Sequence, residues 1–327
     1  MAISTLRGRS LLSLRDCDAA EITELLDRAA DTKERAARGE YIHALAGKNI
    51  ALIFLKPSTR TRVSFVVAAT QSGAHPEIFG RDDIRFGTKE SVRDIARVFG
   101  RVFDGIMFRG FEHSAIAEFA EYAGVPVWNG LSDTYHPTQV LADLLTLREN
   151  FGTLEGLPVT YVGDGRNNMA ITLAIGAAKL GLDLRILAPK ELQLSPEQVA
   201  ELLAEAESDQ AKITVTSSPK EALAGSAAVY SDVWVSMGEE DQTDRRIELL
   251  HDLKITAELM ALTGRSDTIY LHCLPAFHNL DTEMAQARPD ICEVDDDVFE
   301  GKQSRVFDQS ENRMHTAKAL MQLTLVG

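Results

Sequence analysis

Three hydroxyls and two arginines stand within five residues at Ser58-Thr59-Arg60-Thr61-Arg62, directly after Lys56-Pro57 and the apolar run Asn49–Phe54. The pattern predicts a strand that ends and a helix that begins there. A helix start exposes N–H groups and partial positive charge, so hydroxyl and guanidinium donors beside it make a site for phosphate. A capping hydroxyl followed by solvated arginines is the plainer reading of the same residues. Arg109 closes the strand-like stretch 104–108, and strand ends are where open α/β sheets bind ligands; the alternative is a structural arginine. His136 precedes Pro137 in His136-Pro137-Thr138-Gln139, a helix entry where a histidine could donate to a carbonyl oxygen or simply sit capped and part-buried.

Four further stretches carry polar or reactive groups. Gly163-Asp164-Gly165-Arg166-Asn167-Asn168 follows a strand but lacks the G-x-G-x-x-G spacing, so it reads as a loop whose amides meet a small polar ligand rather than a dinucleotide. Asp232 begins Asp232-Val233-Trp234-Val235-Ser236-Met237-Gly238, which leads into Glu239, Glu240 and Asp241. An acid at a strand end suits a cationic amine; a solvated loop start is the other reading. Cys273 lies in His272-Cys273-Leu274-Pro275, where a plain buried thiol is the alternative to a reactive one. Arg313, in Glu311-Asn312-Arg313, stands on an otherwise apolar helix, where arginines usually snorkel. No Walker loop is present, so nucleotide hydrolysis is not indicated.

The elements that must position these groups alternate. Strand-like stretches at 49–54, 104–108, 125–128, 159–162, 184–187, 213–216, 227–230 and 268–271 are interleaved with helical patterns from Thr61 and over 113–122, 137–148, 169–180, 196–207 and 308–325. Such alternation implies parallel sheets flanked by helices. A length of 327 residues suits two domains, and the turn-rich stretches Phe151-Gly152-Thr153 and Gly156-Leu157-Pro158 mark the boundary between them.

Composition narrows the function. A net charge of −15 disfavours nucleic acid and anionic membranes as partners, and requires any anion site to gather positive charge locally. No run of about 18 apolar residues offers a membrane span. Leu11, Leu12 and Leu14 run straight into Asp16 and Asp18, unlike a secretory signal. Cys17, Cys273 and Cys292 are odd in number and lack CxxC spacing, against a disulfide framework or structural zinc and in favour of a reducing cytoplasm.

Taken in order, STRTR, FRG, HPTQ, GDGRNN, DVWVSMG, HCLP and ENRMHT resemble the motifs of the ornithine and aspartate carbamoyltransferases, from about Gly8 to Leu325. STRTR and HPTQ are shared across the family; DVWVSMG and HCLPAF resemble the ornithine branch, whereas Pro57 before Ser58 is more typical of the aspartate branch. The resemblance implies two α/β domains, each a three-layer parallel-sheet sandwich, with the C-terminal helix packing back on the first: 1–150 plus 308–327 for carbamoyl phosphate, 151–307 for ornithine. It assigns Ser58, Thr59, Arg60, Thr61, Arg85, Arg109, His136, Gln139, Cys273, Leu274 and Arg313 to carbamoyl phosphate. Asn168, Asp232, Ser236 and Met237 are assigned to ornithine, and Arg109, His136 and Cys273 to catalysis. No cofactor or metal is implied. A homotrimer or multiple of trimers is, with Arg85 delivered to the neighbouring subunit's site; the family usually has histidine or glutamine there. The rival readings are a carbamoyltransferase for another amine such as putrescine, and a non-catalytic ligand-binding paralogue.

Overall fold

The structure, a computed structural model, describes residues 4–84, 90–235 and 240–327. The chain divides into two compact units. One takes the residues up to Leu145 together with Glu311–Gly327; the other is Thr146–Ser310. Both are parallel α/β sheets with helices, as the alternating pattern implies.

In the first unit, α1 (Ala19–Ala37) precedes β1 (Asn49–Phe54), α2 (Thr59–Gln71), β2 (His75–Gly80), α3 (Val92–Val102), β3 (Gly105–Arg109), α4 (His113–Ala123), β4 (Val127–Leu131) and α5 (Pro137–Phe151), inside which the division falls. The sheet order is β2-β1-β3-β4, all parallel. Alternate strand residues face opposite sides. Ala51, Ile53, Ile106, Phe108 and Val127 pack with Ile95 and Ala96 of α3 and Ile116 and Phe119 of α4. On the other face Trp128 stacks on Phe65 of α2 at 6.4 Å between centroids. β2 escaped the sequence reading. It is an edge strand pairing with β1 alone, half-exposed, with Pro76 in its interior, a position that only an edge tolerates. β4 also starts later than expected, beyond Pro126, whose nitrogen has no hydrogen to donate.

In the second unit come β5 (Pro158–Val162), α6 (Asn168–Leu180), β6 (Asp183–Leu187), α7 (Pro196–Ala204), β7 (Lys212–Thr216), α8 (Pro219–Leu223), β8 (Ala228–Ser231), α9 (Thr243–Leu250), α10 (Ala257–Ala261), β9 (Ile269–His272), α11 (Glu283–Ala287), α12 (Asp296–Phe299) and the start of α13 (Val306–Leu325). The order is β7-β6-β5-β8-β9, all parallel. Tyr161 and Tyr230 stack in its core at 5.7 Å.

The later part of α13 packs on the first unit. Thr324 Oγ1 accepts from Trp128 Nε1 at 3.1 Å, and Lys318 Nζ donates to Gln71 Oε1 at 2.6 Å.

Each sheet reverses its winding at one place. In the first unit the chain goes from β1 outward to β2, then returns to add β3 on the other side. In the second it runs β5 to β6 to β7, then adds β8 beside β5. The crevices at the carboxyl ends of β1/β3 and of β5/β8 are therefore topological switch points, where open α/β sheets take ligands.

Candidate active site

At the first switch point, Leu55 N–H donates to Arg109 O at 2.9 Å, so the loop leaving β1 starts beside the end of β3. Ser58 caps α2, its hydroxyl accepting from Thr61 N at 3.3 Å, and the first turn holds no acid. Thr61 is buried. Its Oγ1 accepts from Arg313 Nη2 of α13 at 2.8 Å, so Arg313 is tied to the phosphate-type loop rather than snorkelling to solvent. A bulge between Phe108 and Arg109 interrupts the pairing of β3 with β4 and re-aims the buried Arg109. Gly130 makes room opposite: a Cβ there would stand 3.4 Å from both Thr61 Cγ2 and Arg109 Cβ, and 2.4 Å from Met107 Sδ.

His136 lies buried at the entry of α5. Burial, then the charges of Arg313, Arg109 and Arg60, hold its pKa well below the usual 6.5. It is therefore neutral at physiological pH and serves as a hydrogen-bonding group. Three guanidinium groups acting on one neutral imidazole are the local positive cluster that an anion requires in a chain of net charge −15. One turn along α5, buried Gln139 donates from Nε2 to Asp143 Oδ1 at 2.9 Å.

At the second switch point Asp232 follows β8, and Cys273 follows the neighbouring β9. The Cys273 thiol donates to Asp232 Oδ1 at 2.8 Å. Asp232 Oδ2 accepts from Asn167 Nδ2 at 3.3 Å, and the same amide donates to Tyr161 Oη at 2.8 Å. Burial and then the Asp232 charge push the Tyr161 phenol well above its ordinary range. Asn167 also caps α6, accepting from Ala170 N at 2.8 Å. Asn167 was missed by the sequence reading, which named its neighbour Asn168, the first residue of α6. The signal was its place before the helix, the position where an asparagine caps.

His272 was also missed as a site residue. Its Nδ1 accepts from Leu274 N at 2.9 Å, so the ring proton sits on Nε2, which lies 3.1 Å from Glu293 Oε1. Both side chains are fully buried, and burial raises the Glu293 pKa despite the histidine. Leu274 has φ of +59°, a left-handed conformation that costs a non-glycine residue roughly 1–2 kcal/mol and needs such an anchor. Arg246, buried, donates to Trp234 O at 3.0 Å and pairs with Asp164 at 2.5 Å, tying the Asp232 loop to the Gly163–Asn168 turn. Arg85, Ser236 and Met237 lie outside the described residues.

Family models cover both units. Residues 9–149 match the aspartate/ornithine carbamoyltransferase carbamoyl-P binding domain, and residues 155–324 match the Asp/Orn binding domain of the same family. The chain belongs to the aspartate/ornithine carbamoyltransferase family. Among curated members of this carbamoyltransferase family, "Ornithine carbamoyltransferase 2, phaseolotoxin-insensitive" of Pseudomonas syringae pv. actinidiae is 51% identical over 326 residues, covering 100% of both chains. A protein named catabolic ornithine carbamoyltransferase from Bacillus licheniformis is also 51% identical, covering 98% of this chain and 97% of its own. Among solved carbamoyltransferases, the ornithine enzyme of Pyrococcus furiosus superposes with a TM-score of 0.89 at 37% identity, covering 99% of each chain. That of Gloeobacter violaceus gives 0.82 at 39% identity, covering 98% of this chain and 99% of its own. Among the described residues no helix is long and apolar enough to cross a membrane.

Proposed function

We propose that this protein transfers the carbamoyl group of carbamoyl phosphate to the side-chain amine of L-ornithine, giving L-citrulline and phosphate. The observation that carries the reading is the start of α2, capped by Ser58 and free of acid, where buried Arg313 donates to buried Thr61 at 2.8 Å. Residues 1–150 with 308–327 would serve carbamoyl phosphate, and 151–307 ornithine. Ser58, Thr59, Arg60, Thr61 and Arg313 take the phosphate; Arg109 and His136 donate to the carbamoyl oxygen; Gln139 accepts from the carbamoyl amide. Cys273 and Leu274 also contact carbamoyl phosphate by resemblance. Asp232 and the Cys273 thiol receive the amine, with Asn168, Ser236 and Met237 on the amino-acid end.

The chemistry follows from those roles. The amine is protonated in water, with a pKa near that of lysine, about 10.4, and burial lowers it. Its nitrogen lone pair then forms a C–N bond to the carbamoyl carbon, and negative charge collects on the carbamoyl oxygen. Preorganised donors such as Arg109 and His136 stabilise that charge without reorganising. Collapse breaks the C–O bond and phosphate leaves with the electron pair, while the nitrogen gives up its remaining extra proton. A neutral His136 suits this role, because a donor that is uncharged before the reaction does not repel the nearby arginines.

Three free cysteines fit a reducing cytoplasm. The assembly we infer is a homotrimer, or a multiple of trimers, with Arg85 reaching the neighbouring site. Mixed trimers of Arg85→Ala and Arg313→Ala chains should then recover part of the activity that each variant lacks alone. The acceptor is tested by incubating carbamoyl phosphate with ornithine, putrescine, lysine and aspartate in turn. Citrulline formation from ornithine, at a kcat/KM at least a hundredfold above the others, is the expected result; preference for putrescine or aspartate, or no turnover, overturns the assignment.

A further inference from the structure

The buried Gln139–Asp143 pair reaches past the reaction to the choice of donor. Both residues lie on the same side of α5, four positions apart, and both are essentially inaccessible. Gln139 Nε2 donates to Asp143 Oδ1 at 2.9 Å, while Gln139 Oε1 is buried without a hydrogen-bond partner among the described residues. A primary amide has two faces, one that donates and one that accepts, and it can present either by a half-turn about its last torsion. A carboxylate only accepts, so it holds the NH2 face and turns the oxygen away.

We propose that Asp143 is a positioning residue that fixes Gln139 with its oxygen outward, and so sets the preference for a carbamoyl donor over an acyl phosphate of the same shape. This rests on the reading of Gln139 as the contact for the carbamoyl amide. A carbamoyl group ends in an NH2 that can donate to Oε1. An acetyl group ends in a methyl that cannot, and leaves a buried acceptor without a partner. A site built around a polar group rejects the analogue that lacks its complement far more strongly than an apolar pocket rejects a size mismatch. Asp143 never needs to touch the ligand for this. It acts by denying the amide its other orientation.

The test uses the full-length protein and two probes, carbamoyl phosphate as substrate and acetyl phosphate as competitive inhibitor. In Asp143→Asn the new amide can donate to Gln139 Oε1, and Gln139 is free to present its NH2 face. The KM for carbamoyl phosphate should rise at least tenfold while the inhibition constant of acetyl phosphate stays within about twofold, so the ratio between them collapses. In a Gln139→Ala background the same Asp143→Asn change should alter that ratio by less than twofold, because its effect passes through Gln139. Asp143→Ala removes the acceptor as well and carries the same expectation where the isostere does not fold. A ratio unchanged in either folded variant, or an equal further loss on top of Gln139→Ala, overturns the proposal and leaves Asp143 as a packing residue. Wild-type protein that does not use carbamoyl phosphate would instead sink the function on which it rests.

Discussion

Arg109→Ala is expected to separate chemistry from folding. Arg109 sits at a strand end beside the loop from β1, so Arg109→Ala would remove the donor proposed for the developing oxyanion and one of the charges acting on His136. Removing one such donor costs about a hundred- to a thousandfold in kcat. We expect that loss with little change in the unfolding transition; steady-state kinetics within tenfold of wild type would contradict the role. Cys273 makes a different prediction. Its thiol donates to Asp232, and a serine hydroxyl keeps a donor there at a shorter reach. Cys273→Ser should impair the ornithine step more than carbamoyl phosphate binding. Calorimetry that finds carbamoyl phosphate affinity reduced as much as ornithine turnover would count against that division. The residue scale is also where the sequence was least transparent. Ser58, Arg109 and His136 advertise themselves by standing where strands end and helices begin. His272 and Glu293 meet across many intervening residues, and nothing local in either stretch announces the partner.

At the scale of elements, the crossing of α3 and α4 depends on Gly100. A Cβ there would stand 1.6 Å from the carbonyl oxygen of Ala123 and 2.6 Å from its carbon, both backbone atoms that cannot swing aside. Gly100→Ala must push the two helices apart and should destabilise the protein by about 3 kcal/mol, at the upper end of overpacking costs. Gly124→Ala, at φ +71° with nothing within 4 Å, should cost only about 1 kcal/mol for its left-handed backbone. Urea titrations of the two variants compare them, and equal midpoints would show that the helices yield. Most elements were legible because their residues lie in a buried interior: β1, β3, β5 and β8 read as short apolar runs, and parallel strands covered on both faces must be apolar throughout. β2 was not legible for the same physical reason. An edge strand with half its surface in water needs no such run, and His75, Pro76 and Glu77 mask it. The switch points, where both half-sites are proposed, are a property of strand order, and order is decided by packing between segments distant in sequence.

For the molecule as a whole, two buried histidines contribute to its response to acid. Burial, followed by the charges of Arg313, Arg109 and Arg60, holds His136 well below 6.5, and burial pushes His315 down to about 4. In the unfolded chain both take up protons near 6.5. Below that pH the unfolded state binds more protons than the folded one, so the stability present above pH 6.5 is lost as the pH falls toward the folded values. For His315 the window runs from 6.5 down to about 4. His315→Gln should therefore show a shallower fall in urea midpoint than wild type between pH 7 and pH 4.5. Identical slopes would mean that burial does not outweigh the contact of His315 Nε2 with Glu311 Oε1 at 3.4 Å.

The division of the chain also has a bearing on how the protein is made. The second unit is one uninterrupted segment, whereas the first is assembled from two segments that bracket it. A ribosome delivers Thr146–Ser310 in full before it delivers Glu311–Gly327. At that moment the second unit has every residue that its sheet needs, while the first still lacks the guanidinium that grips Thr61 and the threonine that meets Trp128. The proposed phosphate site of the part made first is thus the last thing to be finished, and a nascent chain stalled at Ser310 should be able to set Cys273 beside Asp232 but not to retain a phosphate.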